Sequence, residues 1–146
     1  MPARRLNNTQ RASRINAALF FIRIASACAF LYHGSGILLG AFGGPGPRQF
    51  AAHLHQPAVI GYLVGLAQVC GGLAMLTGIL IRLGAVCIIS VMIGAIFLVH
   101  LPHGFDIGKG GFEYAFTQGL IALAILIAGA GSWSLAPLLP DSLRRL

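Results

Sequence analysis

"AVIGYLVGLAQVCGGLAMLTGILIRLGAVCIISVMIGAIFLVHL", residues 58–101, carries a single charged side chain, Arg82, and lies between Pro57 and Pro102. A helix needs about 20 consecutive apolar residues to cross a hydrocarbon layer of about 30 Å. The stretch is about twice that length, so it reads as two spanning helices, 58–81 and 83–101, with Arg82 and Gly84 marking a tight turn between them. Proline lacks the amide hydrogen a helix interior needs, and Pro102 ends the second span.

A third apolar run lies upstream, from Ile15 to Leu39, with Arg23 and His33 as its only strongly polar members. It breaks into "GAFGGPGPRQF" (40–50), whose glycines and prolines end a helix. A fourth run follows downstream, from Phe112 to Ala130. The runs are apolar on every face, unlike the short alternating strands of a β-barrel. With 57% hydrophobic and 9% charged residues, the chain cannot hide its apolar surface within a water-soluble core. The expected fold is an all-α integral membrane protein, a four-transmembrane-helix up-and-down bundle. One domain covers residues 1–146, with helices at about 15–39, 58–81, 83–101 and 112–130. An outer loop at 40–57 and basic tails at 1–14 and 132–146 complete it.

"MPARRLNNTQRASR" followed by "ASACA" (25–29) has the parts of a secretory signal, but the apolar run continues to Leu39, so an uncleaved anchor is expected. Lys and Arg in short flanks stay on the cytoplasmic side. Arg4, Arg5, Arg11, Arg14, Arg82, Arg144 and Arg145 fall on one side, Arg48 and Lys109 on the other. Both termini are therefore expected in the cytoplasm, with the chain multi-pass in a bacterial inner membrane. The net charge of +7 is then topological and does not argue for nucleic acid.

This orientation puts all five histidines in the outer half. His33 lies about 10 Å below the outer end of helix 1, and Gln118 about 9 Å below that of helix 4. His100, His103 and Glu113 sit at the surface, and Gln68 about 15 Å down helix 2. Polar groups in hydrocarbon are costly unless partnered, so they should face the bundle. Gly61, Gly65, Gln68 and Gly72 make one stripe on helix 2, and Arg23, Ala27, Phe30 and Gly34 share a face of helix 1. Arg23 is expected to snorkel or to pair with Gln68, as a structural polar residue. Tyr114 is the same-face companion of Gln118.

"LYHGSGIL" (31–38), "VGLAQVCGGLAMLTGILIRLGA" (64–85) and "MIGAIFLVHLPHGF...GGFEYA" (92–115) resemble the DoxX family of small bacterial membrane proteins over residues 17–136. The resemblance implies a four-helix membrane protein. The family takes its name from subunits associated with quinone-linked thiosulfate oxidation, and other members are linked to membrane oxidoreductase and thiol-stress assemblies. Where the family commonly has Glu before the glycine pair of helix 2, this chain has Gln68.

Three functions fit. The first is an accessory, non-catalytic subunit of a membrane oxidoreductase assembly with a quinone- or lipid-like ligand in the outer half of the bundle. The ligand would be lined by Tyr32, His33, Gln68 and Gln118, with His100 and Glu113 passing protons at the rim. The second is a scaffold without ligand chemistry, motivated by the small loops, the absence of a soluble domain and the glycine faces, with the Gly36/Gly40 and Gly61/Gly65 pairs open to contacts within the bundle or with another protein. The third is a small transporter, which lacks the usual broken helices. Quinone is the implied cofactor. The expected partners are the bilayer and a membrane or redox protein, with self-association left open. "HLPH" (100–103), His53 and His55 have poor ligand spacing, so no metal site is expected. Cys28, Cys70 and Cys87 stand singly in three helices and are expected to be buried packing residues. Phe42, Phe50, Tyr62, Phe105, Phe112 and Tyr114 are expected to form an outer aromatic belt.

Overall fold

The computed structural model describes residues 7–144, and within them the regular structure is helical, without strands. Of the basic residues that set the expected orientation, Arg4, Arg5 and Arg145 lie outside the described residues.

The first helix, α1, spans Asn8–Leu39 and starts two turns before the apolar run. Asn7 caps it by accepting from the Gln10 amide, and the Gln10 side chain accepts from the Asn7 amide in return. Gly40 ends it in the left-handed conformation. A 3₁₀ turn (Ala41–Gly43) and a short helix, α2 (Gly46–His53), occupy the expected loop. Then come α3 (Ala58–Thr77), α4 (Ile81–Ala95) and α5 (Glu113–Ala128), and a last turn, α6 (Asp141–Arg144). Beyond Ala95, α4 loosens into a π turn (Ile96–His100) and a 3₁₀ turn (Leu101–His103).

By length and composition, Asn8–Leu39, Ala58–Thr77 and Ile81–His103 can each cross a membrane, whereas Glu113–Ala128 is shorter. Sixteen residues rise only about 24 Å. The expected fourth span is thus cut at both ends, by Phe112 and by Gly129. The expected turn at Arg82–Gly84 also moves. The chain reverses at Gly78 and Leu80, both left-handed, and Arg82 and Gly84 already belong to α4. Gly84 is needed there for packing, since a β-carbon on it would lie 2.3 Å from Ala74 Cβ.

The helices run antiparallel in sequence order. Leu38 meets Gly65, Gly34 meets Gln68, Leu31 meets Gly72 and Arg23 reaches Met75, so α1 and α3 descend past each other along their glycines. Between α3 and α4, Ile88 packs on Gly71 and Ala74 on Gly84. One buried cluster runs through all four long helices: Ala27 and Phe30, Met75, Ala85, Ile88 and Met92, then Ala122 and Ile125. Outside it, Phe21, Leu63, Phe97 and Ile127 point away from the protein. Apolar surface on every side suits an apolar solvent. The Thr77, Ser90 and Thr117 hydroxyls return their hydrogens to carbonyls four residues back and so need no water.

One packing expectation fails. Cys28 and Cys70 are exposed and Cys87 half-buried, all free, because the buried faces of α1 and α3 are taken by Ala27, Phe30 and the glycine stripe. The glycine pairs serve contacts inside the chain. Gly36 lies against Gly44, and Gly61 against the Pro47 carbonyl.

Candidate functional site

We call the end of the bundle bearing Leu39, Ala58, His103 and Glu113 distal and the other end proximal. The candidate site grows from the last turns of α1 at the distal end. Gly34 lets α3 come so close that a β-carbon there would sit 2.8 Å from Gln68 Cβ. Two residues later in the helix, Gly36, together with Gly44, lets the 40–45 loop fold back on it. Between helix and loop lies an open cup of about 240 Å³, walled by Tyr32, His33, Ile37, Ala41, Phe42 and Pro45. The Tyr32 ring stacks on Phe42 at 5.1 Å and meets His33 edge-on at 5.4 Å. On its other side His33 lies 6.0 Å from the Tyr114 ring of α5.

Of the expected ligand-lining residues, the structure brings Tyr32 and His33 to this cup. Both are exposed, so His33 does not face the bundle interior as expected. The cause is angular: His33 neighbours Gly34, which faces α3, and the helix turns 100° between them. Its imidazole makes no hydrogen bond among the described residues. Gln68 is buried behind Gly34 at 6% exposure and also makes none among them.

Gln118 is elsewhere. Its Oε1 accepts from Ser26 Oγ at 3.1 Å, two turns deeper along α1 than His33. Ser26 was missed by sequence reasoning, although its place on the edge of the Arg23–Ala27–Phe30 face was a signal. Tyr114, one turn above Gln118, packs its ring 6.0 Å from that of His33 on α1, and its hydroxyl is buried without a partner among the described residues.

The rim residues brace the loop between α4 and α5. His100 Nδ1 donates to the Gly110 carbonyl at 2.7 Å, His103 Nδ1 to Val99 at 3.2 Å, and Glu113 Oε2 accepts from the Ile107 amide at 3.2 Å. Their hydrogen bonds hold backbone and do not reach the cup. Among the described residues no three His, Cys, Asp or Glu side chains gather as metal ligands.

Arg23 pairs with backbone, not with Gln68. Its Nε donates to Met75 O at 2.9 Å, Nη1 to Trp133 O at 3.0 Å and to Ala130 O, and Nη2 to Leu76 O at 3.4 Å. These carbonyls belong to the last turn of α3 and the segment after α5, where helical donors run out and partial negative charge collects. Arg23 is 1% exposed and closes the proximal end.

The DoxX family model matches residues 18–101, more than half of the chain. This chain belongs to the DoxX family. The matched part of this DoxX protein holds the cup, Gln68 and Arg23, and stops at Leu101, short of the expected reach to residue 136. Helix α5, with Tyr114 and Gln118, lies beyond it. No curated protein and no solved structure matches the chain.

Proposed function

We propose that this DoxX protein is a non-catalytic subunit of a membrane oxidoreductase assembly that holds a quinone-like ligand at the distal end of α1. In this account α1, α3, α4 and α5 each cross the inner membrane, both termini are cytoplasmic, and the cup opens in the outer half. The shorter α5 is accommodated by local thinning of the bilayer, with Trp133 and the tail at the inner headgroups.

The observation that carries the proposal is the His33 imidazole, which stands on the wall of a cup between two aromatic rings and makes no hydrogen bond among the described residues. The donor set suits a quinone: an imidazole to meet a carbonyl oxygen, flat rings to pack against its ring, and apolar surroundings. A bound quinone supplies a two-electron, two-proton couple. The residues of this chain bind and orient it, and the His33 imidazole can hydrogen-bond a ligand oxygen. With Gln118 tied to Ser26, the expected ligand set contracts to Tyr32 and His33, with Phe42 added. A scaffold role loses one of its motives, because both glycine pairs are consumed inside the chain.

The test is purification in mild detergent, solvent extraction, and a thermal-shift assay with added short-chain quinone. Retained quinone, or a raised midpoint that His33→Ala abolishes, supports the proposal. A protein that carries none and does not respond contradicts it.

A further inference from the structure

Two cavities open side by side at the distal end of α1. One is the cup of about 240 Å³ beside His33. The other is an open groove of about 470 Å³ along the α1–α3 seam, almost wholly apolar and lined by Cys28, Leu31, Ser35, Leu39 and Val69. Tyr32 and Phe42 wall both, with their rings 20° from parallel.

Phe42 is the unusual element. Its φ of 54° lies in the left-handed region, and its side chain is 74% exposed. Glycine takes that backbone without strain, and Gly40, Gly43 and Gly44 surround it, yet this position carries a large ring. Folding gains little from a strained residue whose ring points outward. A ligand packed on that ring gains from it directly.

Charge narrows the ligand. Among the described residues no Lys, Arg, Asp or Glu lines either cavity. Phosphate is held chiefly by guanidinium or ammonium groups, and of the two helix ends at the cup the C-terminus of α1 repels anions while the N-terminus of α2 at Pro45 attracts them, so the missing cations decide for an uncharged head. Cup and groove together fall within the ~300–1,000 Å³ typical of small-molecule sites.

We propose that cup and groove are one site for an uncharged amphiphile. Its polar, hydrogen-bonding ring lies in the cup against His33, and its apolar tail leaves past the Tyr32–Phe42 pair along the groove. This rests on the ligand-binding reading above and adds the charge of the head, the path of the tail and the residue between them.

The full chain in phosphatidylcholine nanodiscs is titrated with decylubiquinone, with the same quinone ring lacking a tail, and with phosphatidylglycerol. Two variants are compared with wild type. Phe42→Gly suits the φ of 54° and keeps the fold. Cys28→Phe fills the groove from an exposed position. Phe42→Gly should weaken both quinones about tenfold, the loss expected for one aromatic contact. Cys28→Phe should weaken the tailed quinone by a similar factor and leave the tailless one unchanged. If wild type binds decylubiquinone and both variants bind it equally well, the ligand lies elsewhere: this proposal falls, and the broader function stands. If wild type binds neither quinone, both fall. Phosphatidylglycerol binding with the same sensitivity to Phe42→Gly would overturn the uncharged head.

Discussion

Arg23 donates through Nε to the carbonyl of Met75 across 2.9 Å, and its other nitrogens reach Leu76, Ala130 and Trp133. One side chain thereby joins the proximal ends of three segments far apart in sequence. Its planar fork of donors suits this, whereas the single ammonium of lysine does not.

Replacing Arg23 with Met should therefore leave four carbonyls short of a donor and destabilise the protein by about 3–5 kcal/mol, seen as a fall of about 10 °C in the apparent unfolding midpoint in detergent. Arg23→Lys should recover less than half of the loss. A wild-type midpoint for Arg23→Met would show that the clamp is dispensable.

Two glycines with opposite surroundings test the close approach of α2 to α3. A β-carbon on Gly61 would lie 1.9 Å from the Pro47 carbonyl oxygen, while one on Gly94 meets nothing within 4 Å. Gly61→Ala should cost about 2 kcal/mol or more through displaced backbone. Gly94→Ala, in α4, should be neutral or stabilising by about 0.5–1 kcal/mol. Equal midpoints for the two variants would contradict the packing.

Ser26 and Gln118 form the side-chain bond between α1 and α5. A double-mutant cycle with Ser26→Ala and Gln118→Leu should return a coupling of about 0.6 kcal/mol, the usual size for such bonds in membrane bundles. No coupling would place the two residues apart.

Glu113 braces the loop by accepting from the Ile107 amide. Glu113→Ala should speed hydrogen exchange at residues 104–112 and leave α1 and α3 unchanged, at a cost of about 1 kcal/mol or less, since the loop is exposed. Unchanged exchange in the loop would remove the brace.

The apolar runs made the helical class and the faces of α1 and α3 legible, because burial follows the spacing of Arg23, Ala27, Phe30 and Gly34 and of Gly61, Gly65, Gln68 and Gly72. Relative depth was not legible. Counting from helix ends sets His33 and Gln118 level only if those ends lie at one height; the ends fall where expected, at Leu39 and Glu113, but Gln118 meets Ser26, so α5 begins deeper than α1 ends. The partners of Arg23 were hidden for a different reason. They are backbone carbonyls, which no residue letter marks. Phe42 looked like one more interfacial aromatic, because its left-handed backbone is set by the loop folding back at Gly36 and Gly44.

The central claim is a chain that crosses the membrane four times with the Tyr32–His33 cup facing outward. It is tested most directly by single cysteines introduced at Arg11, Gln49, Gly108 and Ser142 in a variant lacking Cys28, Cys70 and Cys87, exposed in intact cells to a membrane-impermeant maleimide. The account predicts labelling at positions 49 and 108 in intact cells, and at 11 and 142 only after lysis. Labelling of 11 or 142 from outside, or protection of 108 until lysis, would contradict it.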